Sequence, residues 1–210
     1  MYVVTIDQKA SRSSEDGVPE LLRVLRLQLT GNLAPVVPFS RSVGDEIQGV
    51  LDTPEQVYAV FRTLMRLGGW YMGIGVGRVK EPLPKRSADG NGPAFIHARG
   101  AVEDAKVRRG SCPVSVRAEV VERAAEVQAL LRLTGTLLMS RTAAAWEAVH
   151  LVSTADAQPT GLTQADVAQH LGISVAAVSR RLITASYDEE RAVLPLVARL
   201  LDELNTPLQG

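Results

Sequence analysis

The sequence predicts an α+β protein in two parts: a small antiparallel-sheet domain over residues 1–118, then an all-α domain over 119–210 with a helix-turn-helix at about 162–186. Three observations point there. Up to about residue 118, β-branched and aromatic runs alternate with helical stretches in the order β α β β α β α β, the pattern of helices on one face of a mostly antiparallel sheet. From about Glu119 the strand-like runs stop and helical spacing takes over. Charge divides at the same place, with 16 Lys/Arg against 12 Asp/Glu in residues 1–118 and 7 against 11 in 119–210.

The elements follow in order. "MYVVTID" is a β-branched and aromatic run ending at Asp7, and the polar "QKASRSSEDG" after it is a loop. "VPELLRVLRLQLTGN" places Leu21, Leu25 and Leu29 on one helical stripe, with Gly31 suited to the position past a helix end. Pro35 and Pro38 confine "APVVPFSRSV" to a sheet edge or delay its strand to about Phe39. "SVGDEIQGVL" turns that strand back through Gly44-Asp45, because Gly accepts positive φ and Asp bonds neighbouring backbone. The next helix starts on Thr53, Pro54 and Gln56, a capping box with proline at the first helical position, and buries Val57, Val60, Phe61, Leu64 and Met65. "WYMGIGVG" is a strand with Met72, Ile74 and Val76 on one face and glycines on the other. A helix over "GPAFIHARGAVEDAKV" and a strand over "CPVSVRA" complete the sheet domain. Two helices separated near Ser140, a loop "STADAQPTG" and three further helices make the second half.

Composition excludes several classes. No apolar run approaches the roughly 20 residues that cross a bilayer, and the N-terminus lacks the basic start and apolar centre of a signal peptide, so no membrane partner and cytoplasmic residence are expected. Cys112 is the only cysteine, which leaves no intrachain disulfide and no Cys-based zinc site. His97, His150 and His170 share no metal-ligand spacing.

Candidate chemistry gathers at the first strand and the hairpin. Asp7 closes the strand, and Asp45 sits on a hairpin that naturally lies beside it. Two carboxylates that close repel unless neutralised, and a divalent cation, Mg²⁺ for a site that also takes phosphate, is the usual solution. Asp45 alone reads equally as a plain turn residue. Strand alternation turns Glu46 away, so it is not counted as a ligand. "GIGVG" does not have dinucleotide-fold spacing; its bare face admits either a close helix or a flat ligand. The basic "VKEPLPKRSADGNG" leads into a helix start whose donors, with Lys80, Lys85 and Arg86 nearby, attract phosphate. Arg99, one turn on, is a phosphate clamp or a surface residue.

"YVVTID", "VGDEIQGVL", "GIGVG" and "ADGNGPAFIHARGAV" together resemble the SatD family over most of residues 1–118. At greater distance the same order is similar to the catalytic core of class III nucleotidyl cyclases and the palm-type GGDEF domains. That resemblance implies a cyclase-like (palm) domain in which Asp7 and Asp45 hold Mg²⁺, Arg41 takes the place of a base-contacting Lys, and Arg99 matches a transition-state Arg. Lys9 joins Arg41 and Arg99 as a nucleotide- or phosphate-binding candidate. One departure weighs against catalysis: Phe95 stands where the cyclases have Asn, and losing one oriented polar group costs on the order of 2.7–4 kcal/mol at a transition state.

"QADVAQHLGISVAAVSRRL" resembles helix-turn-helix regulators. Val167, Leu171, Ile173 and Val178 are inner positions, Ala168 lies at the helix crossing, Gly172 in the turn, and Ser174 caps the second helix. That helix would present Ser174, Ala176, Ala177, Ser179 and Arg180 to base edges and Arg181 to phosphate. The net acidic half and "YDEE" just beyond predict weak, salt-sensitive DNA binding, which a homodimer would reinforce. Val193, Leu196, Val197, Leu200, Leu201 and Leu204, with Val127, Leu130, Leu131, Thr134 and Leu138, supply either a dimer surface or intramolecular core. The expected function is DNA-binding regulation, with a degenerate cyclase-like domain that binds a nucleotide or phosphorylated ligand with Mg²⁺. The alternative is a nucleotidyltransferase or cyclase-type enzyme with a helical dimerisation domain.

Overall fold

A computed structural model describes residues 1–10, 15–107, 110, 112–156 and 162–206. The elements are β1 (Tyr2–Gln8), α1 (Val18–Gln28), β2 (Val37–Arg41), β3 (Ile47–Leu51), α2 (Pro54–Leu67), β4 (Trp70–Val76), α3 (Pro93–Val107), β5 (Val114–Arg117), α4 (Val121–Met139), α5 (Ala143–Asp156), α6 (Gln164–Leu171), α7 (Val175–Thr184) and α8 (Tyr187–Asn205). This mixed α+β arrangement keeps the expected order of the first eight elements. Part of the predicted loop over 153–161 belongs to α5, and 157–161 lie outside the described residues. No helix among the described residues is long and apolar enough to cross a membrane.

The five strands are ordered β2-β3-β1-β4-β5, antiparallel except for the β4–β5 pair, which α3 joins as a crossover. Pro38 does what edge prolines do: β2 is the outer strand, and its register shifts between Val37 and Ser40. Thr53 accepts from the Gln56 backbone N–H and closes the capping box that starts α2. Gly31 falls two residues later than a cap would: α1 ends at Gln28, and Gly31, at φ 59°, opens a 3₁₀ turn.

Helices on one face of the sheet were expected; both faces are covered. All seven residues of β1 are buried. The physical reason lies in its composition, since "YVVTI" is nearly continuous apolar sequence without the alternation of a half-solvated strand. Val3, Thr5 and Asp7 share a face with Gly73 and Gly75, and α3 lies on it. A Cβ on Gly73 would sit 2.8 Å from Val102 Cα, and one on Gly75 2.7 Å from Ala98 Cα. Close helix packing therefore explains the bare face of "GIGVG". On the opposite face Tyr2, Val4, Ile6, Met72 and Ile74 are fully buried, Trp70 meets Gly17 at the entry of α1, and α2 packs along β4.

The chain divides into two compact units, residues 1–135 with 196–210, and residues 136–195. β5 ends at Arg117, next to the boundary drawn at 118, while helical residues up to 135 and from 196 group with the sheet. The local reason is at β5, a sheet edge that would otherwise expose unpaired backbone. Gln128 of α4 accepts from Val116 N at 3.0 Å, and Arg132 donates to Val114 O at 2.9 Å and Ser115 Oγ at 2.8 Å. Val127, Leu131, Thr134, Val197, Leu201 and Leu204 are buried, so most of the candidate dimer stripe is intramolecular core. α8 runs on through Pro195. In the second unit, Ala145, Ala148, Val149, Val167, Ala168, Val178, Leu182, Ala185 and Tyr187 form one core.

Candidate functional site

Two places carry chemistry, the end of β1 and the outer face of α7. The register pairs Ile6 with Ile47, so the hairpin between β2 and β3 turns beside the end of β1. Gly44 has φ 58°, and Glu46 N donates to Val43 O at 2.9 Å to close the turn. Ser42 Oγ donates to Glu46 Oε1 at 2.7 Å, so Glu46 is spent on the hairpin itself. Asp7 is 9% exposed on the α3 face, and Asp45 is half-buried at the turn. The two are electrostatic neighbours. Burial pushes the Asp7 carboxyl above its ordinary value, Lys106 opposes this, and the Asp45 and Glu103 charges add to the rise.

Sequence reasoning missed Lys106. Its Nζ lies 2.7 Å from Asp7 Oδ2 and 2.8 Å from Glu103 Oε1. Burial works against the ammonium, but the hydrogen bonds to Asp7 and Glu103 outweigh it and raise the Lys106 pKa. A signal was present: Ala98 and Val102 rest on β4, and the next position four residues along the same stripe is Lys106.

The cations assigned to phosphate do not converge. Lys9 leans over the Tyr71 ring, 5.1 Å from its centroid, and burial lowers its pKa. Arg41 braces the hairpin, donating to Gly44 O at 2.9 Å and pairing with Asp16 at 2.5 Å. Arg99 is exposed on α3, seven residues and so about 10 Å of helix before Lys106. Nor does the start of α3 offer the outward donors expected of it: Ala94 N donates to Arg78 O at 3.2 Å, and Phe95 N and Ile96 N donate to Gly92 O at 3.1 and 3.3 Å. Phe95 is a core residue, grouped with Val3, Val37, Val50 and Ala98, and a Cβ on Gly90 would meet its ring at 2.7 Å.

The residues present do not fit a resident Mg²⁺. Asp7 already holds an ammonium, and no group of three or more His, Cys, Asp or Glu side chains is disposed to hold a metal ion among the described residues. His97 bonds to Val76 O, and His150 and His170 are exposed.

In the second unit, Thr163 and Asp166 form a capping box that starts α6. α6 stops at Gly172, φ 63°, where Ile173 N donates to Ala168 O at 3.0 Å. Ser174 Oγ then accepts from Ala177 N at 3.2 Å and starts α7. Val167, Ala168 and Val178 are buried, and Leu171 and Ile173 pack against them. These contacts leave Ser174, Ala176 and Arg180 exposed and Ala177, Ser179 and Arg181 half-buried. Arg181 lies 3.5 Å from Glu147.

The acidic run after α7 is less acidic toward solvent than its sequence. Asp188 and Glu189 are exposed, but Glu190 is buried against Arg141 at 2.7 Å. Arg141 also donates to Ala185 O at 2.6 Å and Ser186 O at 3.3 Å, and its guanidinium lies over the Trp146 ring at 4.9 Å. One arginine thus holds the end of α7 and the beginning of α8.

A protein-family model described as the SatD family matches residues 12–188, so the chain belongs to that family. The match begins after Asp7 and runs past α7, well beyond the sheet segments that carried the resemblance. No curated protein and no solved structure matches the chain.

Proposed function

We propose that this SatD-family chain is a DNA-binding regulatory protein. In this reading α6 and α7 form a helix-turn-helix, and α7 enters the major groove with Ser174, Ala176 and Arg180 foremost. The observation that carries the reading is the build of α7: capped by Ser174, seated through Val178 and Leu182, and exposing Arg180 on its outer side. Burial of Glu190 against Arg141 supports it by removing one negative charge from the surface beside that helix. A homodimer belongs to the proposal, since two copies double the phosphate contacts of a module with few basic residues.

The sheet unit, as a degenerate cyclase-like (palm) domain, is proposed to bind a nucleotide or another phosphorylated ligand beside Asp7, Asp45, Lys9 and Lys106. Mg²⁺ enters this reading only as the counter-ion such a ligand brings with its phosphates. Proximity of Asp7 and Asp45 favours a second reading, a nucleotidyltransferase or cyclase-type enzyme. Against that stand the ammonium on Asp7 and the buried Phe95 in the place of a polar catalytic group.

Fluorescence anisotropy of a mixed-sequence duplex at several salt concentrations tests the main reading. Wild type is expected to bind with an affinity that falls as salt rises. Arg181→Ala should reduce the salt slope by about 1, and Arg180→Ala should cost about 1–3 kcal/mol on a preferred sequence. Absence of binding at low salt would sink the proposal. Product formation from ATP or GTP would move the choice to the enzyme.

A further inference from the structure

We infer that the corner at the end of β1 carries its own cation: the Lys106 ammonium takes the place that neighbouring carboxylates would otherwise give to a divalent ion, and removing its charge turns the corner into a metal site. The inference concerns the sheet unit alone and does not depend on DNA binding.

Asp7 and Asp45 are delivered to one corner by two independent features, the end of β1 and the hairpin that turns beside it. Glu103 comes from the helix laid over that face and is linked to Asp7 through Lys106. Three carboxylates so placed require positive charge nearby. Lys106 supplies it with both contacts at 2.7–2.8 Å, from the last turn of α3, where a cation also suits the helix dipole.

Backbone contact fixes that reach. Gly73 and Gly75 let α3 rest directly on β4, which brings its last turn down to Asp7. A lysine ammonium is a compact point charge and can neutralise carboxylates at a position where a hard ion would otherwise take their oxygens. Mg²⁺ needs oxygen ligands at about 2.0–2.1 Å, and Asp7 could give one only by releasing Nζ. The ligand class of the uncovered site follows from its donors: all are carboxylate oxygens, which suit Mg²⁺ and Mn²⁺.

The test uses the full chain, with Mn²⁺ alone as the probe. Thermal melting and the electron-spin signal of free Mn²⁺ are followed in wild type, Lys106→Met, Lys106→Arg and Lys106→Met/Asp45→Asn. Wild type and Lys106→Arg are expected to be indifferent to Mn²⁺. Lys106→Met is expected to show a saturable rise in melting temperature and loss of free-ion signal, both abolished by the added Asp45→Asn. Wild-type Mn²⁺ binding that Asp7→Asn or Asp45→Asn removes would overturn the inference, whatever the variants do. So would a folded Lys106→Met that ignores Mn²⁺. If Lys106→Met folds poorly by itself, refolding with Mn²⁺ should rescue it, and failure of that rescue also overturns the inference.

Discussion

Asp7 and Glu190 are both inward-facing carboxylates held by a basic side chain, one in each unit, and the two pairs are built to different ends. Glu190 meets an arginine whose side chain is fully buried, and the remaining donors of that arginine reach two backbone carbonyls. Charge and hydrogen-bonding capacity are closed within the fold. Asp7 meets a lysine that is 29% exposed and shared with Glu103, while Asp45 adds further negative charge. This second pair leaves charge uncompensated at a corner that solvent reaches. A planar fork suits the closed clamp, whereas a single flexible ammonium suits a position that a ligand can contest.

The contrast can be broken most forcefully at the closed pair. Arg141→Met, which strands a buried carboxylate, should cost about 3–5 kcal/mol in urea denaturation. Replacing both partners, Arg141→Met with Glu190→Leu, should recover much of that loss, because the stranded charge goes with it. A single-variant cost under about 1 kcal/mol would mean the pair is not closed to water.

Gly75→Ala probes the scaffold of the open pair. Its new methyl meets the backbone of α3 rather than a side chain that can turn away, so a loss of roughly 1–3 kcal/mol or more is expected. Lifting α3 should also separate Lys106 from Asp7 and change the titration of Asp7, which NMR would detect. An unaltered stability would show that α3 does not depend on this close approach.

Lys106→Met should cost less, about 1 kcal/mol, since the lysine is partly solvated. A cost equal to that of Arg141→Met would erase the distinction between the pairs.

The smallest effect is the most direct measure of the corner. Asp7 should titrate above the ordinary carboxylate value, and Asp45→Asn should bring it down, because the Asp45 charge is one cause of the rise. A folded-state pKa above the unfolded one means that this stability is fully present below the ordinary value of 3.8 and is lost as pH rises through the raised value. Asp7→Asn should remove that dependence. An Asp7 titration unmoved by Asp45→Asn would show that the two carboxylates are not neighbours.

Legibility in the sequence followed the reach of the interactions. Thr53-Pro54-Gln56, Gly172-Ile173-Ser174 and the glycines of β4 were readable because caps, turns and strand faces are decided within a few residues. Arg41, Arg99 and the start of α3 were legible as residue types, but their surroundings were not. Arg41 is occupied by Asp16, Arg99 stands apart from the corner, and the first donors of α3 are taken by Arg78 and Gly92 carbonyls. Thr163 carried a capping signal that a closer reading of "TQAD" would have found.

By itself the sequence determined the order of strands and helices, the edge position of β2, and the tight connection between α6 and α7. Propensity, capping and backbone stereochemistry act locally and need no knowledge of the rest of the chain. Only the tertiary structure decided that both faces of the sheet are covered, that Phe95 belongs to the core, that Glu190 is withdrawn from the surface, and that Lys106 answers the charge of Asp7. Each depends on groups far apart along the chain brought within a few ångströms, where burial and Coulomb interactions assign a partner that spacing alone does not specify.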